Sequence, residues 1–296
     1  MTEKNYLADY AKSFNWAGFF LPKIIYNDCS KLYSFCRILD NVVDEGRDLT
    51  VKTKKFNEIK NYFNNADQLN NEEKQAINKN EYTTIVDEMS VLADNNKIKR
   101  IIINDLIEGV ESDLKRKIKF ISVKDLLIYS YRVAGTVGLM MAKILNVNET
   151  RALKGAIDLG IAMQLTNIAR DVIEDQKMNR QYIKPDFESI EATIKLADMF
   201  YDSSFSSIKK IPFKFRFAII VARRVYRQIG RKIIQKRNME TYQKSGKIYV
   251  NSFGKVFQTI FSLWDLIILF FIDIESHQRT NEYNIINEEI NLDERL

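Results

Sequence analysis

Residues 158–183 read DLGIAMQLTNIARDVIEDQKMNRQYI. Apolar residues recur every three or four positions in the first part of this stretch, which predicts a helix that continues to about Glu174. Four polar residues share one face of that helix: Gln164, Asn167, Asp171 and Asp175. Amide and carboxylate groups are costly to bury among apolar neighbours unless they bind a ligand. The stripe is therefore the first candidate for a functional site.

An earlier segment, Tyr33–Asp44, reads YSFCRILDNVVD and repeats the spacing of the two aspartates at Asp40 and Asp44. Side chains four residues apart on a helix lie about 5–6 Å apart, so two carboxylates there repel each other unless a cation joins them. Mg²⁺ prefers such oxygen ligands and leaves positions for substrate phosphate. Two of these helices facing one cavity predict a magnesium cluster that binds a diphosphate. Arg37 lies one turn before the first pair.

The scarcity of helix breakers predicts the fold class. The chain has 10 Gly and 3 Pro in 296 residues, which disfavours a turn-rich sandwich or barrel. A hydrophobic content of 46% excludes global disorder. We expect one all-α domain over residues 1–275, with a polar loop and a short helix from Asn64 to Glu81, and a frayed polar tail over 276–296.

Cysteine and histidine usage excludes several kinds of site. Cys29 and Cys36 are seven residues apart in a helical segment, about 10 Å along the axis, which is too far for a disulfide bond. The single histidine, His277, disfavours a histidine-based zinc site or a catalytic triad. The first twelve residues contain no apolar signal core. These features favour a cytoplasmic protein.

Charge and hydropathy are uneven along the chain, whose net charge is +6. The stretch Lys209–Lys247 contains thirteen Lys or Arg and one acid, which suits either a solvated helix face or a surface facing anions such as lipid headgroups. Val256–Ile274 is the most apolar stretch but contains Asp265 and Asp273. We therefore expect a buried or membrane-surface helix there, not a membrane-spanning one.

Small residues recur every four positions at Ala134, Gly138 and Ala142, with Gly135 adjacent. This stripe favours close packing of a neighbouring helix. The alternative is space for a long, thin ligand.

Several segments resemble, in the same order, the squalene/phytoene synthase family, and within it the bacterial phytoene synthases. They are Ser13-Phe14, Leu21-Pro22, Tyr33–Asp44, LIEGVESDL at 106–114, YSYRVAGTVGLMMA at 129–142 and the stretch 158–183. The resemblance implies an isoprenoid-synthase fold with a central cavity between helices. It also implies head-to-head condensation of two geranylgeranyl diphosphates, through prephytoene diphosphate, to phytoene in carotenoid biosynthesis. Mg²⁺ or Mn²⁺ would be required, and NADPH would not.

The same resemblance implies residue roles. The metal–diphosphate cluster would be held by Asp40, Asp44, Asn167, Asp171 and Asp175, and the four aspartates with Arg37 would be catalytic. Substrate would be contacted by Ser13, Tyr33, Arg37, Tyr131, Gln164, Asn167, Arg170 and Tyr242. Asn41 stands where the family often has a second aspartate, so we expect activity with altered metal affinity.

Alternatives remain at this point. A squalene or dehydrosqualene synthase would use farnesyl diphosphate with the same acidic pairs. A non-catalytic relative could act as an assembly factor, although the intact pairs argue against it. A basic helical nucleic-acid binder has only the Lys209–Lys247 stretch in its support, so we expect no nucleic-acid partner. That stretch and the apolar carboxy-terminal helix predict peripheral contact with the inner face of the cell membrane. The oligomeric state stays open.

Overall fold

The computed structural model describes residues 6–46, 48–65, 80–115, 117–119, 122–274 and 276–296. This part of the chain is almost entirely helical, so the all-α prediction is confirmed. The predicted loop between Asn64 and Glu81 lies mostly outside the described residues; residues 64–65 end one helix and Glu81 begins the next.

The described residues form sixteen α-helices, two short strands and three tighter or wider helical turns. The helices are α1 Tyr6–Tyr10, α2 Lys12–Gly18, α3 Lys23–Asp44, α4 Leu49–Asn65, α5 Glu81–Asn95, α6 Arg100–Glu111, α7 Val123–Ser130, α8 Thr136–Ile144, α9 Thr150–Arg170, α10 Val172–Lys177, α11 Phe187–Ser207, α12 Phe213–Ile234, α13 Met239–Lys244, α14 Ser252–Phe271, α15 Thr280–Asn287 and α16 Leu292–Arg295. The parallel strands are β1 Ile118–Lys119 and β2 Arg180–Gln181. Ser112–Leu114 and Ile208–Lys210 are 3₁₀ turns, and Tyr131–Gly135 is a π-helical turn.

Helix α9 lies at the centre and packs against α8, α11 and α12. Two glycines permit the closest approach. A Cβ at Gly138 would lie 2.1 Å from the carbonyl oxygen of Ala156, and one at Gly160 would lie 2.2 Å from that of Ala134. The small-residue stripe thus serves close helix packing, and Ala134 also lines the central cavity.

The helix predicted to continue to about Glu174 is interrupted, and a second helical segment contains a π-helical turn. Helix α9 ends at Arg170 and the chain resumes as α10 at Val172, with Asp171 between them at φ −104° and ψ 15°. Helices α7 and α8 are joined without a loop by the π-helical turn Tyr131–Gly135. Such turns widen the helix by one residue and often occur at functional sites.

The carboxy-terminal segment differs from the expected frayed tail. Helix α15 buries Tyr283 and Ile286, which are three residues apart on one face, and α16 buries Leu292. The Arg295 guanidinium binds the Asp105 carboxylate through contacts of 2.9 and 3.0 Å. Residues 276–296 therefore pack onto the domain.

Much of the basic stretch is neutralised within the fold. On α12, Arg223 is buried, and Arg223 and Arg227 both bind Asp202. Arg224 binds Asp265 of α14 at 2.7 Å. These arginines therefore form ion pairs within the protein and do not belong to a solvated helix face.

Helix α14, Ser252–Phe271, contains most of the apolar stretch Val256–Ile274, which we expected to be a buried or membrane-surface helix. Most of its large apolar side chains are exposed, so the alternative of a buried helix is wrong. Of the helices in the described residues, α14 is the one long and apolar enough to cross a membrane by length and composition.

Candidate active site

A central cavity of about 720 Å³ lies between α3, α8, α9, α11 and α12. Its lining along α9 runs from Ala152 to Arg170 and continues to Asp171, a distance of about 28 Å at 1.5 Å per residue. The amino-terminal part of this lining is apolar, as at Ala156 and Leu159. The last turns carry the polar stripe. The cavity therefore has one apolar part and one strongly polar end.

The first aspartate pair lies on the unbroken helix α3. Asp40 is half-buried, and burial, followed by repulsion from Asp44, raises the pKa of its carboxyl to about 7. Asp44 is more exposed and accepts a hydrogen bond of 2.8 Å from the Arg180 guanidinium. The Lys52 ammonium donates to the Val43 carbonyl at 2.7 Å, which satisfies the carboxyl end of α3.

The second pair straddles the break between α9 and α10. Asp171 accepts two hydrogen bonds from Arg170, one of them 2.8 Å from Nε, and Lys247 Nζ lies 3.7 Å from Asp171. Burial, followed by repulsion from Asp171, raises the pKa of the Asp175 carboxyl to about 7.

Asn167 provides a test of whether the site suits a cation. Its Oδ1 is buried without a hydrogen-bond donor, while its Nδ2 donates to Gln164 at 3.4 Å. An unpaired buried acceptor is costly, and a cation would satisfy it. No three acidic, histidine or cysteine side chains of the described residues form a closed metal cage. Mg²⁺ does not need one, because it keeps waters and binds through few carboxylates together with phosphate oxygens. The donor set thus fits Mg²⁺ or Mn²⁺.

A buried acid network lies beside both pairs and was missed by the sequence reasoning. The Asp113 carboxylate accepts hydrogen bonds from Tyr129 at 2.7 Å and Tyr182 at 2.8 Å, whose rings stack 4.8 Å apart. Burial raises the pKa of Asp113, although Arg180 and both hydroxyls act to lower it. Arg180 thereby connects Asp44 of the first pair with this network.

The chain is similar in sequence to proteins of one known family. The family model described as squalene/phytoene synthase matches residues 7–186. The chain belongs to the squalene/phytoene synthase family. A 15-cis-phytoene synthase of Paracoccus sp. is 30% identical over 263 residues, which cover 82% of this chain and 84% of that protein. A phytoene synthase of Pseudescherichia vulneris is 35% identical over 150 residues, 44% of this chain and about half (48%) of that protein.

A solved structure shares the fold of this squalene/phytoene synthase family member. The crystal structure of a dehydrosqualene synthase in complex with ligand has a TM-score of 0.70 and 26% identity, and covers 88% of this chain and 94% of its own. The predicted family and the predicted isoprenoid-synthase fold with a cavity between helices are both confirmed.

The structure brings most of the predicted site residues together at this cavity. The residues that line it are Ser13, Tyr33, Arg37, Asp40, Asp44, Gln164, Asn167, Arg170, Asp171 and Asp175. Their roles in metal and substrate binding stay predictions. Asn41, the departure from the family pattern, does not line the cavity.

Two predicted substrate contacts need correction. Tyr131 lies in the π-helical turn, is fully buried, and donates to Asp105 at 3.1 Å, so its side chain is directed away from the cavity lining. Tyr129, two residues earlier, lines the cavity instead. The Tyr242 hydroxyl lies 2.6 Å from the Arg170 carbonyl oxygen and 3.0 Å from that of Ala169. It therefore caps the carboxyl end of α9 and does not line the cavity.

Proposed function

We propose that this chain is a phytoene synthase, which condenses two geranylgeranyl diphosphates head to head, through prephytoene diphosphate, to phytoene in carotenoid biosynthesis. The observation that carries the proposal is one cavity with two aspartate pairs at its polar end and a long apolar part beyond them. The relatives named phytoene synthase support the same choice within the family.

The polar end of the cavity suits a diphosphate. Arg37, Arg170 and Arg180 line it together with Lys247, and these cations would bind the phosphate oxygens. Asp40, Asp44, Asn167, Asp171 and Asp175 would hold Mg²⁺ or Mn²⁺. The bound ion would supply electrostatic stabilisation of the departing diphosphate.

The apolar part of the cavity would protect the allylic cation. Ala156 and Leu159 exclude water, which would otherwise quench that cation. Phe14, Tyr33 and Tyr129 also line the cavity, and aromatic rings attract cations. No histidine is needed as a base, because the departed diphosphate can accept the final proton.

Cavity length supports a C20 substrate over a C15 one. From Ala152 to Asn167 the lining of α9 extends about 22 Å. The sixteen-carbon main chain of a geranylgeranyl group is about 19 Å long when extended, given C–C bonds of about 1.5 Å. A farnesyl chain, four carbons shorter, would leave the far end near Ile208 unfilled.

Product analysis tests this proposal. The purified protein is incubated with geranylgeranyl or farnesyl diphosphate, with Mg²⁺ and no NADPH, and the products are identified by mass. We expect a C40 product from geranylgeranyl diphosphate, which a chelator abolishes. A C30 product formed in preference, as by the dehydrosqualene synthase of similar structure, would refute the C20 assignment, and so would a strict NADPH requirement. An Asp171→Asn variant that kept full cellular function would indicate an assembly factor.

The proposed location is cytoplasmic, with peripheral contact at the inner face of the cell membrane. The proposal includes no nucleic-acid partner, because Arg223, Arg224 and Arg227 are engaged in ion pairs within the protein.

A further inference from the structure

Helix α14 has its polar side toward the protein and its apolar side toward solvent. On the inner side, Asp265 binds Arg224, and Thr259 accepts a hydrogen bond of 2.9 Å from the Trp16 indole. On the outer side, Phe253, Trp264 and Phe271 are 79%, 64% and 84% exposed. A surface helix of a soluble protein has its apolar side toward the core and its polar side toward water. The exposed apolar side of α14 therefore indicates contact with an apolar partner or a membrane.

The exposed apolar surface extends beyond α14. Phe213, 59% exposed, packs its ring 5.9 Å from that of Phe270, and Tyr249 is 68% exposed just before α14. We call this surface, the outer side of α14 with Phe213 and Tyr249, the apolar face. Exposed lysines border it: Lys214 follows Phe213 in the chain, and Lys12 lies beside the amino end of α14. An apolar surface bordered by cations complements an anionic lipid bilayer.

The mouth of the cavity lies at the edge of the apolar face. Lys12 and Lys247 are exposed residues of the cavity lining. The carbonyl oxygen of Lys12 accepts a hydrogen bond of 3.0 Å from Lys255 on α14, and Lys247 precedes Tyr249 by two residues. The opening thus adjoins the amino end of α14.

We infer that the apolar face lies in the surface of an anionic bilayer, with α14 parallel to it, and that Lys12 and Lys247 place the cavity mouth at the level of the lipid headgroups. The polar contacts of Thr259 and Asp265 hold α14 along the protein, so the helix does not cross the bilayer. The mouth's role as a lipid entrance rests on the proposed function. A prenyl diphosphate in a membrane has its charged head at this level and its tail below.

A lipid surface fits better than a second copy of this chain. In a twofold dimer formed through the apolar face, the Lys12 end of the face would lie against either the Lys214 end or the Lys12 end of the partner, so lysine would face lysine in both arrangements. Like charges facing each other across an interface are unfavourable, whereas anionic lipids neutralise them.

Vesicle co-sedimentation tests the docking without any substrate. The protein is mixed with phosphatidylcholine vesicles with and without phosphatidylglycerol. We expect binding that is stronger with phosphatidylglycerol, and a blue shift of Trp264 emission with quenching by brominated lipid. The double variant Phe253→Asp/Phe257→Asp should bind at least about tenfold more weakly, because each exposed phenyl ring contributes apolar area. Lys214→Glu should weaken binding to the anionic vesicles alone.

The matched control is Val51→Asp/Val91→Asp, which places the same charges at residues 61% and 58% exposed on α4 and α5. It should bind vesicles like the original chain. Equal binding of both double variants would overturn the inference. The inference would also be overturned if the original chain bound no vesicles but formed a dimer that Phe253→Asp/Phe257→Asp dissociates. Membrane-bound protein that resists extraction by alkaline carbonate would overturn it as well.

A second measurement separates docking from catalysis. Phe253→Asp/Phe257→Asp should convert prenyl diphosphate normally in detergent micelles but at least about tenfold more slowly from vesicles. An equal loss of conversion rate in micelles and in vesicles would overturn the inference that the cavity mouth is a lipid entrance. A chain that binds vesicles but converts no prenyl diphosphate in micelles would refute the proposed function and leave the docking intact.

Discussion

The two aspartate pairs have the same spacing in the sequence but are supported in different ways. Asp40 and Asp44 lie on one continuous helix, α3. Asp171 lies at the break between α9 and α10, and Asp175 belongs to α10. Equal spacing therefore does not produce equal geometry. The first pair is fixed by one helix, whereas the second depends on the contacts that end α9.

The two pairs share one electrostatic pattern despite this difference. In each, one carboxylate binds an arginine: Asp44 binds Arg180, and Asp171 binds its neighbour Arg170. The other carboxylate, Asp40 or Asp175, is half-buried and has its pKa raised to about 7. The arginines thus balance part of the negative charge of the metal-free site. A bound cation would reduce the electrostatic repulsion at the remaining carboxylates, Asp40 and Asp175.

Replacing Asp40 or Asp175 by asparagine should have the largest effect. Each change removes a carboxylate from the proposed cluster, and product formation from geranylgeranyl diphosphate should fall about 10³-fold. The metal-free protein should nevertheless become more stable above pH 7, because an ionised, repelled carboxylate has been removed. Activity by product mass and thermal unfolding with a chelator check the two parts. Asp94→Asn, at an exposed position on α5, is the control that should alter neither. Loss of stability in the active-site variants would contradict the pattern.

Arg180 links the first aspartate pair with the Asp113 network, so its removal should affect both. Arg180→Ala leaves Asp44 without its ion pair and Asp113 without the cation that lowers its pKa. Activity should fall about 10²-fold, with partial recovery in Arg180→Lys, which restores charge but not the planar guanidinium. Steady-state kinetics at several Mg²⁺ concentrations measure this. Arg231→Ala, at an exposed arginine of α12, should be neutral. Equal activity of Arg180→Ala and the original chain would exclude this link.

The raised pKa values predict opposite pH effects on stability and metal binding. A native pKa near 7 lies above the usual value of about 3.9, so the folded protein binds more protons than the unfolded one between these values. The contribution of Asp40 and Asp175 to the free energy of unfolding of the metal-free protein should therefore fall as the pH rises from about 4 to 7. Mg²⁺ affinity should rise over the upper part of this range, about tenfold per pH unit for each proton displaced.

Calorimetric titration with Mg²⁺ and thermal unfolding with a chelator, both between pH 5 and 8, measure these slopes. The Asp40→Asn/Asp175→Asn variant should lose both pH dependences. A pH-independent affinity in the original chain would show that the two carboxyls are already ionised when the metal arrives.

The sequence predicted the acidic pairs because spacing on a helix is a local property. Asp40 and Asp44, or Gln164 and Asn167, can be placed on one face without knowledge of any other segment. The break at Asp171 could not be predicted in this way, since a residue from another helix, Tyr242, contacts the carbonyls that end α9. The apolar periodicity continues across the break and conceals it.

Residues brought together by tertiary structure were missed for the same reason. Asp113 and Arg180 occur in segments that match the family, but each is a single residue without a spaced partner in sequence. Tyr131 was predicted from the family resemblance alone, but it lies in the π-helical turn and is fully buried, whereas Tyr129 lines the cavity. The packed carboxy-terminal segment was missed because its few buried apolar residues, such as Ile286, are dispersed in a polar composition.

Tyr242→Phe should have the smallest effect, and it tests the difference between the two pairs directly. Removing the hydroxyl leaves the carbonyls of Ala169 and Arg170 without its hydrogen bond, which should destabilise the protein by about 1 kcal/mol. Because the ring does not line the cavity, KM for the prenyl diphosphate should stay unchanged while kcat falls a few-fold, as Asp171 shifts at the end of α9. The matched variant Tyr249→Phe removes an exposed hydroxyl and should change neither the stability nor kcat. A raised KM with unchanged stability would instead place Tyr242 in contact with substrate, and would remove the reason for regarding the second pair as the more loosely fixed of the two.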